Sequence, residues 1–373
     1  MAEQVCNLCG SRAFEALDLG EPVARTGRNV LCANCGLMFH APAMSAEAMR
    51  AFYAAEYSGE YSASETIGRE LARQRLAVLK QRIDLDRAAP VLEIGCAQGE
   101  FLAEIGALGI AAEGVEPSRA MAEHGRDAYG LKVLDGVYDD LPERPEGYGL
   151  ICLFHVLEHV ADPLATLRRI RRELRPDGHL LLEVPTLGDC QLALVFKTIH
   201  PTTFVRETLE AMLALAGFTP MLVEERGYHL RVLARPGEPR ERAPLPDAGA
   251  VRARVFAYLA KRRAIVEKIL DKLEKLVGQP GGGIYGAGLN TLDLDQIFPL
   301  TRLYLEAAFD ADPRKQGRDI LGLTIYPPEA LREWRGRYLI VSSYAFQEEI
   351  CRQLHYLQER GVELVTLYDK EPR

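Results

Sequence analysis

Between Pro90 and Pro185, short β-rich runs alternate with helical stretches, and this restricts the fold more than any other feature of the sequence. The strand-like runs are PVLEIG (90–95), AAEGVE (111–116), GLKVLDG (130–136), GLICLFHV (149–156) and GHLLLEVP (178–185). Helical stretches intervene, notably at 98–108, 118–128 and 163–174. Such alternation predicts an α/β fold with a parallel, doubly wound sheet. A helix is expected before it, at roughly 65–84, and the tyrosine-containing stretch AEAMRAFYAAEYSGEY also reads as helical. After it, TLEAMLALAGF (208–218) reads as a helix, and MLVEER followed by YHLRVLAR as a closing antiparallel edge. Residues 235–250, rich in proline and charge, mark the clearest domain boundary. A helix over about 248–277 leads to a second, smaller α/β unit. This unit opens at GGGIYGAG (281–288), with strand signals at 302–310, 337–343 and 362–368.

The strand-to-helix turn in VLEIGCAQGEFL (91–102) carries the strongest chemical signal. Glycines there permit an unusual turn and close approach of a ligand to the backbone. Glu116, in GVEPS, lies 21 residues beyond Gly95 at the end of the next strand. An acidic side chain at that place can accept hydrogen bonds from both hydroxyls of a ribose. The pattern EIGCAQG is not the GxGxxG that wraps a pyrophosphate. A ligand with adenosine but no diphosphate fits better, which favours S-adenosylmethionine over NAD.

Four of the eight cysteines form two close pairs, CNLC (6–9) and CANC (32–35), each followed by a glycine. Cys6, Cys9, Cys32 and Cys35 supply four soft thiolates, the donor set of a closed tetrahedral zinc site. Such a site has no open position, so the metal is expected to be structural. The segment between the pairs has too few large apolar residues for a core of its own, and metal binding would supply its stability. Cys96, Cys152, Cys190 and Cys351 are scattered, which fits metal binding in a reducing cytoplasm better than a disulfide framework. The start MAEQVCNLCG lacks the pattern of a secretory leader. The strongly apolar stretches, such as 150–157, are far below the roughly 20 residues of a membrane span. A net charge of −8 argues against extended nucleic-acid binding, which needs a positive field.

From 91 to 185 the chain resembles the class I methyltransferase family throughout, in VLEIGCAQG, GVEPS, VLDGVYDDLP, GLICLFHVLEHVADP and LRRIRRELRPDGHLLLEVP. The resemblance implies that Glu93 and Gly95, Cys96, Ala97 and Gly99 surround the methionine part of the cofactor. Glu116 and Pro117 would lie at the ribose, and Val137, Tyr138 and Asp139 beside the adenine. Phe154 and His155 would border the cofactor at the end of the fourth strand. The wider layout resembles the zinc-containing sugar C-methyltransferases of antibiotic deoxysugar pathways, which join a four-cysteine module, a methyltransferase domain and a C-terminal domain with a GYGA-like turn. That turn is IYGAGLNT (284–291) here. Where that family carries a tyrosine–histidine–glutamate–histidine run, this chain has FKTIHPTTF (196–204), which keeps His200; the family's HGGSLR-like segment is RGYHLR (226–231). Both C- and O-methylation are therefore open.

The expected division is a zinc module and connecting region over 1–64, a methyltransferase domain over 65–235, a linker over 236–250, and a long helix with a second Rossmann-like domain over 251–373. Methyl transfer needs a group to take a proton, and histidine has the convenient pKa. His155, His159, His200 and His229 sit near the predicted C-terminal edge of the sheet and are the candidates. Glu158 and Arg206 could contact substrate, and Tyr285, Asn290 and Tyr344 are the residues to test for a nucleotide portion. Asp310, about 22 residues after Gly288, leaves room for a second nucleotide site. The expected acceptor is a small polar metabolite, preferably a nucleotide-linked sugar in surface-glycan or natural-product biosynthesis. The rivals are a methyltransferase of another natural product or of RNA, and a non-catalytic zinc-containing interaction protein. A monomer or a homodimer would suit the long helix.

Overall fold

The computed structural model describes residues 4–19, 28–42, 47–49, 51, 65–188, 196, 199–238, 240 and 244–369. Cys190 and most of the tyrosine-containing stretch 46–61 lie outside them. Contacts divide the chain into two units, the first ending at Ala257 and the second beginning at Tyr258. The division falls inside a helix that starts at Ala248, beyond the proline-rich stretch expected to separate the domains.

The first unit is built on a seven-stranded sheet. Its parallel core comprises β4 (Val91–Ile94), β5 (Ala112–Glu116), β6 (Lys132–Asp135), β7 (Tyr148–Phe154) and β8 (Leu174–Pro185), closed by β10 (Phe218–Arg226) and β11 (His229–Pro236). The order is β10-β11-β8-β7-β4-β5-β6. The expected antiparallel pair exists, but the later strand, β11, lies inside and β10 takes the edge. Burial gives the reason: Leu230, Val232, Leu233 and Ala234 are fully buried, whereas most of β10 is half-buried or exposed.

Both faces of this sheet are covered, which is why its strands read as continuous apolar runs. Side chains alternate across it. Leu150, Cys152 and Phe154 of β7 pack with Leu76 and Leu79 of α1 (Glu65–Arg82) and with Phe101 and Ile105 of α2 (Glu100–Gly106). Ile151 and Leu153 face the other way, toward Leu167 and Ile170 of α4 (Pro163–Glu173) and Leu209 and Met212 of α5 (Arg206–Leu215). The remaining helix, α3 (Arg119–Tyr129), joins β5 to β6. Asp162 caps α4, its Oδ1 accepting from the Ala165 N–H at 3.0 Å, with Pro163 at the first helical position.

The cysteine pairs lie on a small antiparallel sheet, β1 (Phe14–Ala16), β2 (Arg28–Cys32) and β3 (Met38–Ala41). Two residues of the later chain, β9 (Thr202–Thr203), extend it by pairing with β3. The module thus shares backbone hydrogen bonds with the segment that carries His200.

The second unit has six strands. Of these, β12 (Gly282–Tyr285), β13 (Leu305–Phe309), β15 (Leu323–Tyr326), β16 (Tyr338–Val341) and β17 (Glu363–Thr366) are parallel, with β14 (Asp319–Ile320) antiparallel at one edge. Its helices are most of α6 (Ala248–Glu274), then α7 (Leu289–Ile297), α8 (Gln347–Gln353) and α9 (His355–Glu359). The first glycines of GGGIYGAG serve packing. A Cβ on Gly283 would come within 2.8 Å of the Trp334 ring, and one on Gly282 would run into Tyr338. Among the described residues no helix is long and apolar enough to cross a membrane.

One buried charge cluster ties the first unit together. Glu183 on β8 is 3% exposed and accepts from Arg75 of α1 at 2.8 and 2.9 Å and from Arg231 of β11 at 2.5 Å. Arg75 also lies over the Phe154 ring, 3.9 Å from its centre. Burial alone would push this carboxyl up, but the two guanidiniums hold it down at about 2. Its stabilisation is therefore fully present above the ordinary carboxylate value near ~4.3 and is lost as pH falls through about 2. Glu183→Ala leaves two guanidiniums without their partner and is expected to cost about 3–5 kcal/mol in denaturant unfolding at neutral pH. A loss below about 1 kcal/mol would mean that the pairs behave as exposed ones.

Candidate active site

The C-terminal edge of the parallel sheet is where a ligand can meet several strands at once. After β4 the chain turns through Gly95 (φ 70°), Ala97 (φ 47°) and Gly99 (φ 88°). A Cβ on Gly95 would come within 2.5 Å of Val156 Cγ2, so glycine is required there for space as well as for conformation. The turn is clasped by Glu116 at the end of β5. Its Oε2 accepts from the Ala97 N–H at 2.9 Å and its Oε1 from the Ser118 N–H at 2.8 Å. Glu116 is 2% exposed; burial pushes its carboxyl up, against those two hydrogen bonds. A carboxylate has about four acceptor positions, so both oxygens can still take a hydroxyl each.

A cleft opens beside this clasp. Of the residues read from the sequence as cofactor contacts, it is lined by Gly95, Ala97, Glu116 and Pro117, then Val137, Tyr138 and Asp139, and finally Phe154 and His155. Glu93, Cys96 and Gly99 lie behind it. Glu93 is buried within β4, and burial pushes its carboxyl well above the usual range. The Cys96 thiol packs over Gly114 and Leu102, and Gly99 precedes α2 as its N-cap. The Tyr138 hydroxyl donates to Glu173 at 2.7 Å, beneath the Arg169 guanidinium. Thr166 and Pro201 also line the cleft. No local sequence signal marked them.

The opposite wall carries an imidazole cluster. His155 holds a left-handed backbone (φ 57°), with its N–H donating to the Glu183 carbonyl at 2.9 Å. Its Nε2 lies 3.0 Å from His229 Nδ1, and its Nδ1 lies 3.5 Å from Glu158 Oε1. Burial first, then His155, pushes His229 down to about 4. Glu158 is 1% exposed; burial would raise its carboxyl, but His155, His159 and His200 hold it below the ordinary range. The His159 and His200 rings meet edge to face at 4.7 Å. The structure thus brings all four histidines and Glu158 together. Arg206 stands elsewhere, at the start of α5, half-exposed and paired with Glu210 at 3.0 Å.

Tyr285, Asn290 and Tyr344 belong to the second unit. Tyr285 is buried in its sheet, Asn290 bonds Ser342 at 3.0 Å and Tyr368 at 2.6 Å, and Tyr344 packs edge-on against Tyr368. All three have partners inside that unit.

In the cysteine module, Cys6 and Cys35 sulfurs lie 3.6 Å apart and Cys9 and Cys32 sulfurs 3.5 Å apart, and all four lie within 4.8 Å of one another. Each pair closes the same turn: the Gly10 N–H donates to the Cys6 carbonyl at 2.8 Å and the Gly36 N–H to the Cys32 carbonyl at 2.9 Å. The cluster is able to chelate a metal, and its four sulfurs suit zinc. Asn7, between the first two cysteines, donates to the carbonyl of Ala161 at 3.0 Å, and Ala161 lines the cleft.

Residues 64–223 match a family model described as a methyltransferase domain, and residues 250–368 one described as a C-methyltransferase C-terminal domain. The chain is similar to a ubiquinone biosynthesis O-methyltransferase of Proteus mirabilis, 30% identical over 113 residues, 28% of this chain and 46% of that protein. Its likeness to the enzyme of the same name from Xylella fastidiosa is 32% over 133 residues, 32% of this chain and 52% of that one. The chain spans about half the length of the curated relatives it matches. Among solved structures, an S-adenosylmethionine-dependent methyltransferase from Mesorhizobium loti is 17% identical, with a TM-score of 0.37 covering 43% of this chain and 96% of that one. One from Listeria monocytogenes is 15% identical, with a TM-score of 0.39 covering 45% and 100%. Turn, clasp and sheet order, with the family match, give residues 64–223 the fold of a class I S-adenosylmethionine-dependent methyltransferase domain. A segment that matches a C-methyltransferase C-terminal domain follows it in the same chain, and a four-cysteine cluster able to chelate a metal precedes it.

Glu116→Ala is expected to weaken S-adenosylhomocysteine binding at least tenfold by isothermal titration, the loss of roughly two hydrogen bonds to a charged acceptor. Unchanged affinity would remove Glu116 from the cofactor site. For the cysteine cluster, elemental analysis should find one zinc per chain, and Cys9→Ser should lose it together with thermal stability. Metal-free protein with all four thiols reduced and a normal melting temperature would overturn the zinc assignment.

Proposed function

We propose that this protein transfers a methyl group from S-adenosylmethionine to a small polar metabolite, with a nucleotide-linked sugar as the acceptor. One observation carries the reading: a single cleft is lined both by the glycine turn with Glu116 and by His155 and His159. A methyl donor and a proton-accepting cluster would therefore face the same space.

Bound S-adenosylmethionine supplies an electrophilic methyl group on a sulfonium centre. The residues around it must orient the acceptor and take its proton. The Glu158 carboxylate, 3.5 Å from His155 Nδ1, favours a proton on that nitrogen. His155 Nε2 then accepts the Nδ1–H of His229 across 3.0 Å. This leaves a lone pair on His229 Nε2. With His229 pushed down to about 4, the ring is neutral at neutral pH, the form that can accept a proton. A proton taken there can pass through His229 Nδ1 to His155, where Glu158 offsets the charge. The cysteine module is read as a wall of the acceptor pocket, held by the β3–β9 pairing and the Asn7 hydrogen bond.

The match of residues 250–368 to a C-methyltransferase C-terminal domain supports carbon as the methylated atom. A second reading is O-methylation of an acceptor that is not a sugar. The O-methyltransferase activity for which the curated relatives are named, over matches of 28–32% of this chain, favours it.

The test is transfer of an isotopically labelled methyl group to a panel of nucleotide-linked sugars, read by mass spectrometry with fragmentation. A labelled sugar is expected, and its fragments locate the methyl on carbon or oxygen. No transfer by protein that binds S-adenosylhomocysteine saturably would overturn the sugar assignment and move the acceptor to the second reading.

A further inference from the structure

Glu158 presents an unusual charge arrangement on the wall of the cleft. It lies in the tight turn Leu157–His159, 1% exposed, and its Oε2 has no hydrogen-bond partner among the described residues. Its Oε1 lies 3.7 Å from His159 Nε2. The tautomer of His159 is fixed by its other nitrogen: Nδ1 lies 2.7 Å from the carbonyl of Ile199, and a carbonyl can only accept. A proton therefore sits on Nδ1, and Nε2 is turned toward the Glu158 carboxyl. The contact is favourable when a cation, either a proton on Nε2 or a metal ion, lies between the two groups.

The third member of the group is His200, buried with 8% of its surface exposed. One carboxylate oxygen of Glu158 and one ring nitrogen each of His159 and His200 all lie within 4.8 Å of one another. Donors around a first-row divalent ion sit at about 2.0–2.2 Å from it, so their mutual separations fall inside that span. The hydrogen bond from His159 Nδ1 to a backbone carbonyl is also the outer contact that usually orients a metal-bound imidazole.

We propose that Glu158, His159 and His200 form a second metal site, separate from the four-cysteine cluster, that binds a divalent transition cation such as Mn²⁺, Co²⁺ or Zn²⁺. Two imidazoles and one carboxylate are a nitrogen–oxygen donor set, in contrast to the four thiolates of the other cluster. Three protein ligands leave coordination positions open, and one of the three, His159, lines the cleft beside Pro201.

The role of the cation rests on the methyltransferase reading above. An acceptor hydroxyl or enol oxygen bound to it would lose its proton more readily, as metal-bound water does. That proton goes to the His155–His229 pair. The electron pair released, on the oxygen or on the carbon conjugated to it, forms the new bond to the methyl group. The S–CH₃ bond breaks and its electrons stay on sulfur, giving neutral S-adenosylhomocysteine. The cation is neither oxidised nor consumed.

The experiment uses the full chain with zinc already in the cysteine cluster, titrated with Mn²⁺ and followed by electron paramagnetic resonance of the free ion. One Mn²⁺ per chain is expected, with pulsed measurements showing ¹⁴N couplings from imidazole. Glu158→Gln and His200→Ala should each weaken Mn²⁺ binding at least tenfold, while zinc content and S-adenosylhomocysteine affinity stay within twofold of the parent. No bound Mn²⁺, Mn²⁺ bound without nitrogen couplings, or affinity unchanged by Glu158→Gln would each overturn the site. A protonated imidazole would then be the charge partner of Glu158. Should a variant lose zinc and cofactor binding together, the nitrogen couplings of the parent decide the matter. Mn²⁺ bound through nitrogen, in protein that transfers no methyl to any sugar, would leave the site standing and remove the acceptor reading.

Discussion

Parallel pairing of β4 with β5 and β7 sets the position of everything chemical in the first unit. In this register Ile94 stands opposite Val115 on one side and Leu153 on the other. The strands therefore end at one level, and Gly95, Glu116 and the Phe154–His155 pair emerge along a single edge. Ladder hydrogen bonds impose this without any side chain taking part. Side chains then decide what the edge can do. The strained backbone of His155 is held there by its bond to the Glu183 carbonyl, which continues the ladder one residue past the end of β7. The position costs backbone strain and turns the imidazole into the cleft, the combination expected of a functional residue.

Four buried glutamates around this edge show how differently one side chain can be treated. Glu183 is charged because two guanidiniums surround it, and Glu116 is clasped by two backbone amides. Glu158 is held ionised by imidazoles, whereas burial drives Glu93 well above the usual range, toward the neutral acid. Leaving a carboxylate in an apolar interior costs several kcal/mol unless a partner offsets it. Three of the four therefore define hard requirements on distant residues: Arg75 and Arg231, the glycine turn, and the histidine cluster. Those requirements link α1, β8, β11 and the module-paired segment that carries His200 to the cleft.

Much of this was legible in the sequence because its cause is local. Strand and helix periodicity revealed the parallel sheet, the glycines and Glu116 revealed the turn, and cysteine spacing revealed the cluster. What was not legible depends on strands that meet only after folding. His229 reaches His155 because β11 inserts beside β8, pairing His229 with Pro185, and no nearby pattern announces which strand of a hairpin takes the edge. Glu183 finds Arg75 across 108 positions of sequence. The β3–β9 pairing involves two threonines, too few for any periodicity. The triple glycine has a packing role that no local pattern announces: Gly282 and Gly283 leave room for Tyr338 and Trp334.

The two units also show what an acidic residue some twenty positions after a glycine turn does and does not mean. In the second unit Asp310, at the end of β13, accepts from the Ala287 N–H at 2.8 Å and from the Asp312 N–H at 2.8 Å. This is the clasp made by Glu116 on Ala97 and Ser118, with one amide from the turn and one from two residues downstream. It recurs because a βα turn leaves backbone donors unsatisfied beside the next strand, and a carboxylate there satisfies them. The clasp is thus a property of the architecture, present with or without a cofactor. The difference lies in the capacity that remains. Lys315 reaches Asp310 at 3.0 Å, and its nitrogen lies 3.4 Å from where a Cβ on Gly288 would stand, so a cation of the protein itself takes up acceptor capacity beside this turn. Glu116 faces an open cleft. The free acceptor capacity of the carboxylate, rather than the spacing that places it, is what distinguishes the two clasps.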